Sequence, residues 1–332
     1  MGSRIPTVLS QQFSVIPGVA LCMTLAMAVV FASPFWGVPA LILALFLGYV
    51  VGEPVSGHPF QQGIEFSRQG VLKLGVVLLA ARLEPGQVLD LGWVPLLLVV
   101  LAVSLTLLAA WVLGRCLRLP TEYWLIGGAA VAICGASAAM AVAAILAGRA
   151  ATTRTLPYIV ASVTVIGSLA MIAYPLMVDL LGLGVRSAGL LIGLSIHDVA
   201  QVAGAGYAVS DPVGDVAIYT KMLRVAALVP VIALIALWQG SQGGQDNGFP
   251  GFLYAFAAVV VLNALGLLND QIRLMAAIFS EFFLVTAMVG LGAKIQFSSL
   301  LGESWRPFFM LTCLSLLLLL FSFVAISLVG TA

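Results

Sequence analysis

Ser195-Ile196-His197-Asp198-Val199-Ala200-Gln201 places a histidine, a carboxylate and an amide inside a stretch that otherwise reads as a membrane-spanning helix. Ionisable groups at that depth are costly and mark binding, coupling or gating. A second such stretch follows at Lys221-Met222-Leu223-Arg224. The rest of the chain shows why the bilayer is the right frame. Hydrophobic residues fill 62% of its 332 positions and charged residues 8%, where a soluble domain carries roughly 25% charged residues. Mean hydropathy is +1.16. The chain reads as an all-α polytopic membrane protein.

Runs of about 20 apolar residues broken by Gly, Pro or charge fall near 15–32, 37–52, 66–82, 93–114, 123–147, 156–178, 187–209, 217–238, 252–268, 275–292 and 308–330. They predict about eleven transmembrane helices in a single integral membrane unit, 1–332, with core helices including 123–147 and 187–238. The run after Arg4 is longer than the apolar core of a signal peptide and reads as the first helix. Gly240-Ser241-Gln242-Gly243-Gly244-Gln245-Asp246-Asn247-Gly248 reads as a flexible loop. Arg4, Arg68, Arg115, Arg118, Arg186, Lys294 and Arg306 fall on one side, and Arg82, Arg149, Arg154 and Arg273 on the other. That excess favours a cytoplasmic N-terminus. A net charge of +1 speaks against nucleic acid as a partner and leaves the lipid bilayer and a small solute. Cys22, Cys116, Cys134 and Cys313 have no metal-ligand spacing, so neither a metal site nor a disulfide framework is expected.

Shifting the chain by 212 positions sets Ala81-Arg82-Leu83 on Ala293-Lys294-Ile295, Leu89 on Leu301, Trp93 on Trp305 and Pro95 on Pro307. Val77 and Leu79 fall on Val289 and Leu291. With eleven helices the copies lie seven apart, an odd number, and enter the membrane in opposite directions. Inverted repeats of this kind belong to secondary transporters, whose sites form where helices break at the midplane. Interfacial Trp and helix-start Pro are common enough to give part of this match by chance.

Two spans have the composition of a broken helix. In the fifth, Ile133-Cys134-Gly135-Ala136-Ser137-Ala138-Ala139 gathers small residues, and a half-helix starting there would offer its N-terminus and the Ser137 hydroxyl to an anion. A small-residue packing seam is the competing reading. In the seventh, Ser195, His197, Asp198 and Gln201 are candidates. On a continuous helix His197 and Gln201 share a face and Asp198 projects about 100° away. His197, with an ordinary pKa of about 6.5, and Asp198 are the candidate coupling or proton-carrying groups. Asp198 as a plain counterion to Lys221 or Arg224 stands beside that. Lys221 and Arg224, three apart, share a face and would offer a point charge and a fork to a tetrahedral oxyanion, or snorkel to the interface. The substrate-binding candidates are thus Gly135, Ser137, Ser195, Gln201, Lys221 and Arg224, with a small anion as ligand and H+ or Na+ as coupling ion. An intramembrane hydrolase using Ser137 and His197 is a minor alternative, because the Gly-x-Ser-x-Gly pattern lacks its final glycine.

The Cys134-Gly135-Ala136-Ser137 segment, the Ser195-to-Gly206 segment and Lys221-Met222-Leu223-Arg224-Val225, in that order, resemble the YeiH-like sulfate exporter family of bacterial inner-membrane proteins over essentially the whole chain. The resemblance implies discontinuous helices that cross in a core domain, a separate scaffold domain through which related folds often form homodimers, and export of sulfate or a related sulfur oxyanion. A carrier of organic anions on the same fold remains the alternative.

Overall fold

The computed structural model describes residues 7–36, 38–52, 54–55, 59–81, 92–146, 152–239, 251–295 and 305–329. Arg4, Arg82, Leu83, Leu89, Arg149, Leu301 and the 240–248 loop lie outside them. The helices are α1 Thr7–Trp36, α2 Ala40–Gly52, α3 Gln61–Phe66, α4 Leu72–Leu79, α5 Val94–Cys116, α6 Thr121–Ala129, α7 Ala136–Ile145, α8 Thr152–Leu181, α9 Val185–Ser195, α10 Val199–Val209, α11 Asp211–Ala226, α12 Leu228–Gln239, α13 Gly251–Ala264, α14 Asp270–Ala293 and α15 Trp305–Val329. Single π-helical turns, Ser67–Val71 and Ala130–Cys134, join α3 to α4 and extend α6. Every regular element among the described residues is helical.

Among the described residues, six helical stretches are long and apolar enough to cross a membrane: Val15–Trp36, Val94–Cys116, Thr155–Leu181, Asp211–Ile235, Asp270–Ala293 and Trp305–Leu328. Shorter apolar helices accompany them, among them Thr121–Cys134, Val185–Ser195 and Val199–Val209. Two compact units result, Met1–Pro85 with Tyr254–Ile295, and Gly86–Leu253 with Gln296–Ala332. The stretches 123–147 and 187–238 both fall in the second.

In the first unit, α14 is the central helix. Gly48 and Gly52 of α2 lie against Val289 and Ala293, so α2 and α14 run parallel. Gly75 lies against Leu284, Gly290 against Arg68, and Lys294 Nζ donates to Gln61 Oε1, so the α3–α4 rod runs antiparallel to α14.

The second unit contains two helical hairpins where the sequence suggested two spans. Gly189 of α9 lies against Val213 and Val216, and Gly193 against Ala217 and Thr220: α9 runs parallel to α11. Gly206 lies against Gly214, and the Tyr207 hydroxyl donates to Asp215 Oδ1 at 2.7 Å: α10 runs antiparallel to the same helix. The chain therefore enters along α9, turns at Ile196-His197-Asp198 and leaves along α10 by the face it entered. The segment 187–209 is not a span. Each arm has 11 residues, about 16 Å at 1.5 Å per residue and about half a bilayer core.

The α6–α7 segment does the same from the opposite face. Helix α7 packs back on α6 and against α12, and Trp124 near the start of α6 meets Trp238 near the end of α12 with ring centroids 5.8 Å apart. The hairpins thus open at opposite ends of the α11–α12 rod and meet at its middle. Helix α8 runs alongside α10, in the same direction: Gln201 Nε2 donates to the Thr164 carbonyl at 3.0 Å, and Gly204 lies against Met171.

A shift of 212 positions carries α2 onto 252–264, where α13 lies, and α5 onto 306–328, where α15 lies. Within the second unit α5 and α15 also run in opposite directions. Helix α5 is antiparallel to α6, since Gly114 meets Trp124 and Gly128 meets Ala110. Helix α15 follows α6, passing Gly127 at Met310 and Leu311 and reaching the hairpin tips at Ser315.

Candidate functional site

The tips of the two hairpins touch at the middle of the second unit. The first turns at Gly135, whose φ of 62° and ψ of −122° lie where only glycine is unstrained. Around this residue stand Asp198 Oδ2, the His197 carbonyl and Val163. The second tip is extended backbone at Ile196 and Asp198.

Each tip ends one half-helix and starts another. The last carbonyls of a helix have no partner within it, and a membrane interior supplies no water to satisfy them. Lys221 and Arg224 of α11, both fully buried, satisfy them for both hairpins. Lys221 Nζ donates to the carbonyls of Ile133 at 2.7 Å, Ile196 at 2.9 Å and His197. Arg224 Nε donates to Ala132 at 3.1 Å, and Nη2 to Val131 at 2.7 Å and Ala132 at 2.8 Å. Its Nη1 donates to Leu194 at 2.6 Å, Ile196 at 2.9 Å and Gly193 at 3.2 Å. Neither cation has a carboxylate oxygen within 4 Å among the described residues. Their charge is met by two helix C-termini, each equivalent to about half a negative charge, and at longer range by Asp198.

This corrects the expectation that both side chains are open to ligand oxygens or snorkel outward. Every N–H of Lys221 and Arg224 is directed at a backbone carbonyl, and the two residues clamp the crossing hairpins together.

Asp198 is the N-cap of α10. Its Oδ1 accepts the N–H of Ala200 at 3.0 Å, while Gln201 Oε1 accepts the N–H of Asp198 at 3.3 Å, a reciprocal capping box. The helix therefore starts at Val199, and the shared face expected for His197 and Gln201 on a continuous helix does not exist. The Gln201 amide is spent on the Thr164 carbonyl and on Ser168 Oγ at 3.2 Å, fastening the α10 start to α8. Ser195 Oγ donates back to the Leu191 carbonyl. These two are buried; Asp198 is half-buried and Ser137 exposed. Ser137 lies in the first turn of α7, where the first intrahelical bond runs from Ala139 N to Gly135 O at 3.1 Å.

His197 is buried, with Nδ1 3.1 Å from the Ser195 carbonyl and Nε2 2.7 Å from Ser315 Oγ. Both ring nitrogens are thus engaged away from Ser137. Sequence reasoning missed Ser315, Thr164 and Ser168. A lone Ser in an apolar run, with its hydroxyl within reach of its own helix as Ser315 Oγ is at 2.8 Å from the Leu311 carbonyl, gives no signal of a partner elsewhere.

Comparison with known proteins places the chain in a family. The family model described as conserved hypothetical protein 698 matches residues 17–311. The UPF0324 membrane protein CT0845 of Chlorobaculum tepidum is 37% identical over 88% of this chain and 83% of its own length. The UPF0324 membrane protein TauZ of Paracoccus pantotrophus is 38% identical, covering 86% of this chain and 87% of its own. The inner membrane protein YeiH of Escherichia coli is 32% identical, covering 89% and 88%. No solved structure matches the chain.

Proposed function

The chain belongs to the UPF0324 membrane-protein family, and from that premise we propose that it is a secondary active transporter of a small anion in the bacterial inner membrane, exporting sulfate or a related sulfur oxyanion. The observation that carries this reading is the meeting of two hairpins from opposite faces at Gly135 and Ile196–Asp198 over two buried cations. Transporters bind solutes where half-helices end near the midplane. Helix N-termini starting at such a point favour negative charge. The α10 N-terminus is occupied by its own carboxylate, Asp198, while the α7 N-terminus carries the exposed Ser137. A small oxyanion would sit at Gly135–Ser137, with Lys221 and Arg224 supplying field from behind the tips and no direct bond.

Coupling would run through Asp198, whose charge opposes a second anion at the tips, with H+ or Na+ as the coupling ion. The repeat is read as inverted, because the shift-related α5 and α15 run in opposite directions, as do α4 and α14. Because each hairpin returns to the face it enters, Arg115, Arg118 and Arg154 fall at one face of the second unit and Arg186 at the other.

Flux of labelled sulfate and other sulfur oxyanions into proteoliposomes tests the function. The expected result is saturable uptake that responds to an imposed proton or sodium gradient. Uptake of organic anions alone would favour the organic-anion carrier, and no uptake of either class above protein-free liposomes would overturn transport.

A further inference from the structure

His197 lies within the capped tip of the second hairpin, and its side chain is the link from that tip to α15. Nδ1 faces the Ser195 carbonyl, which can only accept, so Nδ1 carries a proton. Nε2 faces Ser315 Oγ, which can either accept from it or donate to it. The Ser315 hydroxyl has one proton and two candidate acceptors, His197 Nε2 at 2.7 Å and the Leu311 carbonyl at 2.8 Å. If it went to Leu311, Nε2 would also have to donate, and the ring would be a cation.

The surroundings decide between the two. The ionisable groups around His197 are Lys221 and Arg224 on α11, Cys134 at the first tip, Tyr174 of α8 beside Ser195, and its neighbour Asp198. The two buried cations already have no carboxylate oxygen in contact among the described residues. A third buried positive charge there would be uncompensated.

We propose that Ser315 is a positioning residue for the hairpin tip, donating its hydroxyl proton to His197 Nε2 and holding the imidazole in the neutral Nδ1–H tautomer. The tautomer of a histidine is set by the bond its other nitrogen makes. Fixed this way, the ring keeps the Ser195 carbonyl bound while the His197 carbonyl remains on Lys221. The tip is then braced from α15 as well as from α11. The hydrogen bond stands independently of what is transported; its effect on flux rests on the transport reading.

The chain has two histidines, His58 and His197, so His58→Gln leaves a single imidazole for nitrogen-15 NMR of the labelled protein in lipid nanodiscs. At neutral pH the expected spectrum is a neutral ring with a protonated Nδ1 and an Nε2 that accepts a hydrogen bond. Ser315→Ala should move the Nε2 resonance toward that of a free acceptor, and Ser315→Thr should restore it. An imidazolium, an Nε2–H tautomer, or an Nε2 resonance indifferent to Ser315→Ala would each overturn the proposal. Should Ser315→Ala fail to fold, the wild-type tautomer and the Thr variant still decide it. Proteoliposome flux is read separately: absence of anion flux in the wild type removes the transport reading and leaves the nitrogen shifts to judge the bond.

Discussion

Arg224 Nη2 donates to the Val131 carbonyl at 2.7 Å, joining residues 93 positions apart, while Nη1 of the same guanidinium reaches Leu194 at 2.6 Å. One side chain thereby fastens two hairpins that enter from opposite faces.

Removal of that fork should be a stability defect before it is a binding defect. Arg224→Ala strands buried carbonyls in both hairpins, at about 1–3 kcal/mol for each unsatisfied group. Thermal unfolding in detergent should show a large loss for Arg224→Ala and only partial recovery in Arg224→Lys, because an ammonium lacks the planar fork. An Arg224→Ala protein as stable as wild type, with lowered anion affinity, would reinstate the side chain as a direct ligand.

The hairpin at 185–209 makes a topological forecast that a spanning helix does not share. Single cysteines at Arg186 and Ser210, on a background lacking the native cysteines, should react with an impermeant thiol reagent from the same side of the membrane. A cysteine at Glu122, at the open end of the other hairpin, should react from the opposite side. Labelling of 186 and 210 from different sides would make the segment a span after all.

Gly135→Ala forces a side chain onto a φ of 62°, at about 1–3 kcal/mol for a residue held outside its allowed regions. Space is not the obstacle, since the nearest atoms stand at ordinary contact distance of 3.8 Å. The variant should fold with reduced stability and lose flux by displacing Ser137. Undiminished flux in a folded Gly135→Ala protein would separate this tip from the transport path.

Asp198 has a capping and an electrostatic part, and two substitutions separate them. Asp198→Asn keeps an oxygen for the Ala200 N–H but removes the charge, whereas Asp198→Ala removes both, with the lost cap costing about 0.5–2 kcal/mol. Asp198→Asn should retain near-normal stability yet lose the response of flux to an imposed proton or sodium gradient. A preserved response would assign coupling elsewhere.

The polar residues of the site were legible because charge at membrane depth has few bland explanations, and Lys221, Arg224, His197 and Asp198 do converge. Their bonds were not. Asp198-Val199-Ala200-Gln201 carries the Asp-x-x-Gln spacing of a capping box, which announces a helix start within what hydropathy reports as one run. Hydropathy itself cannot distinguish a span from a hairpin, because two arms of 11 residues have the length and composition of one helix. Lys221 and Arg224 looked like ligand groups for the same reason: which acceptors a cation meets depends on where the carbonyls of 131–133 and 193–197 end up, and that is tertiary.

The clamp also orders biosynthesis. The first hairpin leaves the ribosome roughly 90 residues ahead of Arg224, a delay of about 4.5 to 18 s at 5–20 residues per second. Through that interval the carbonyls of Val131, Ala132 and Ile133 have no cation to meet, and hydrocarbon does not tolerate them bare. The burial of those carbonyls seen in the folded protein therefore requires that α11 has already been made.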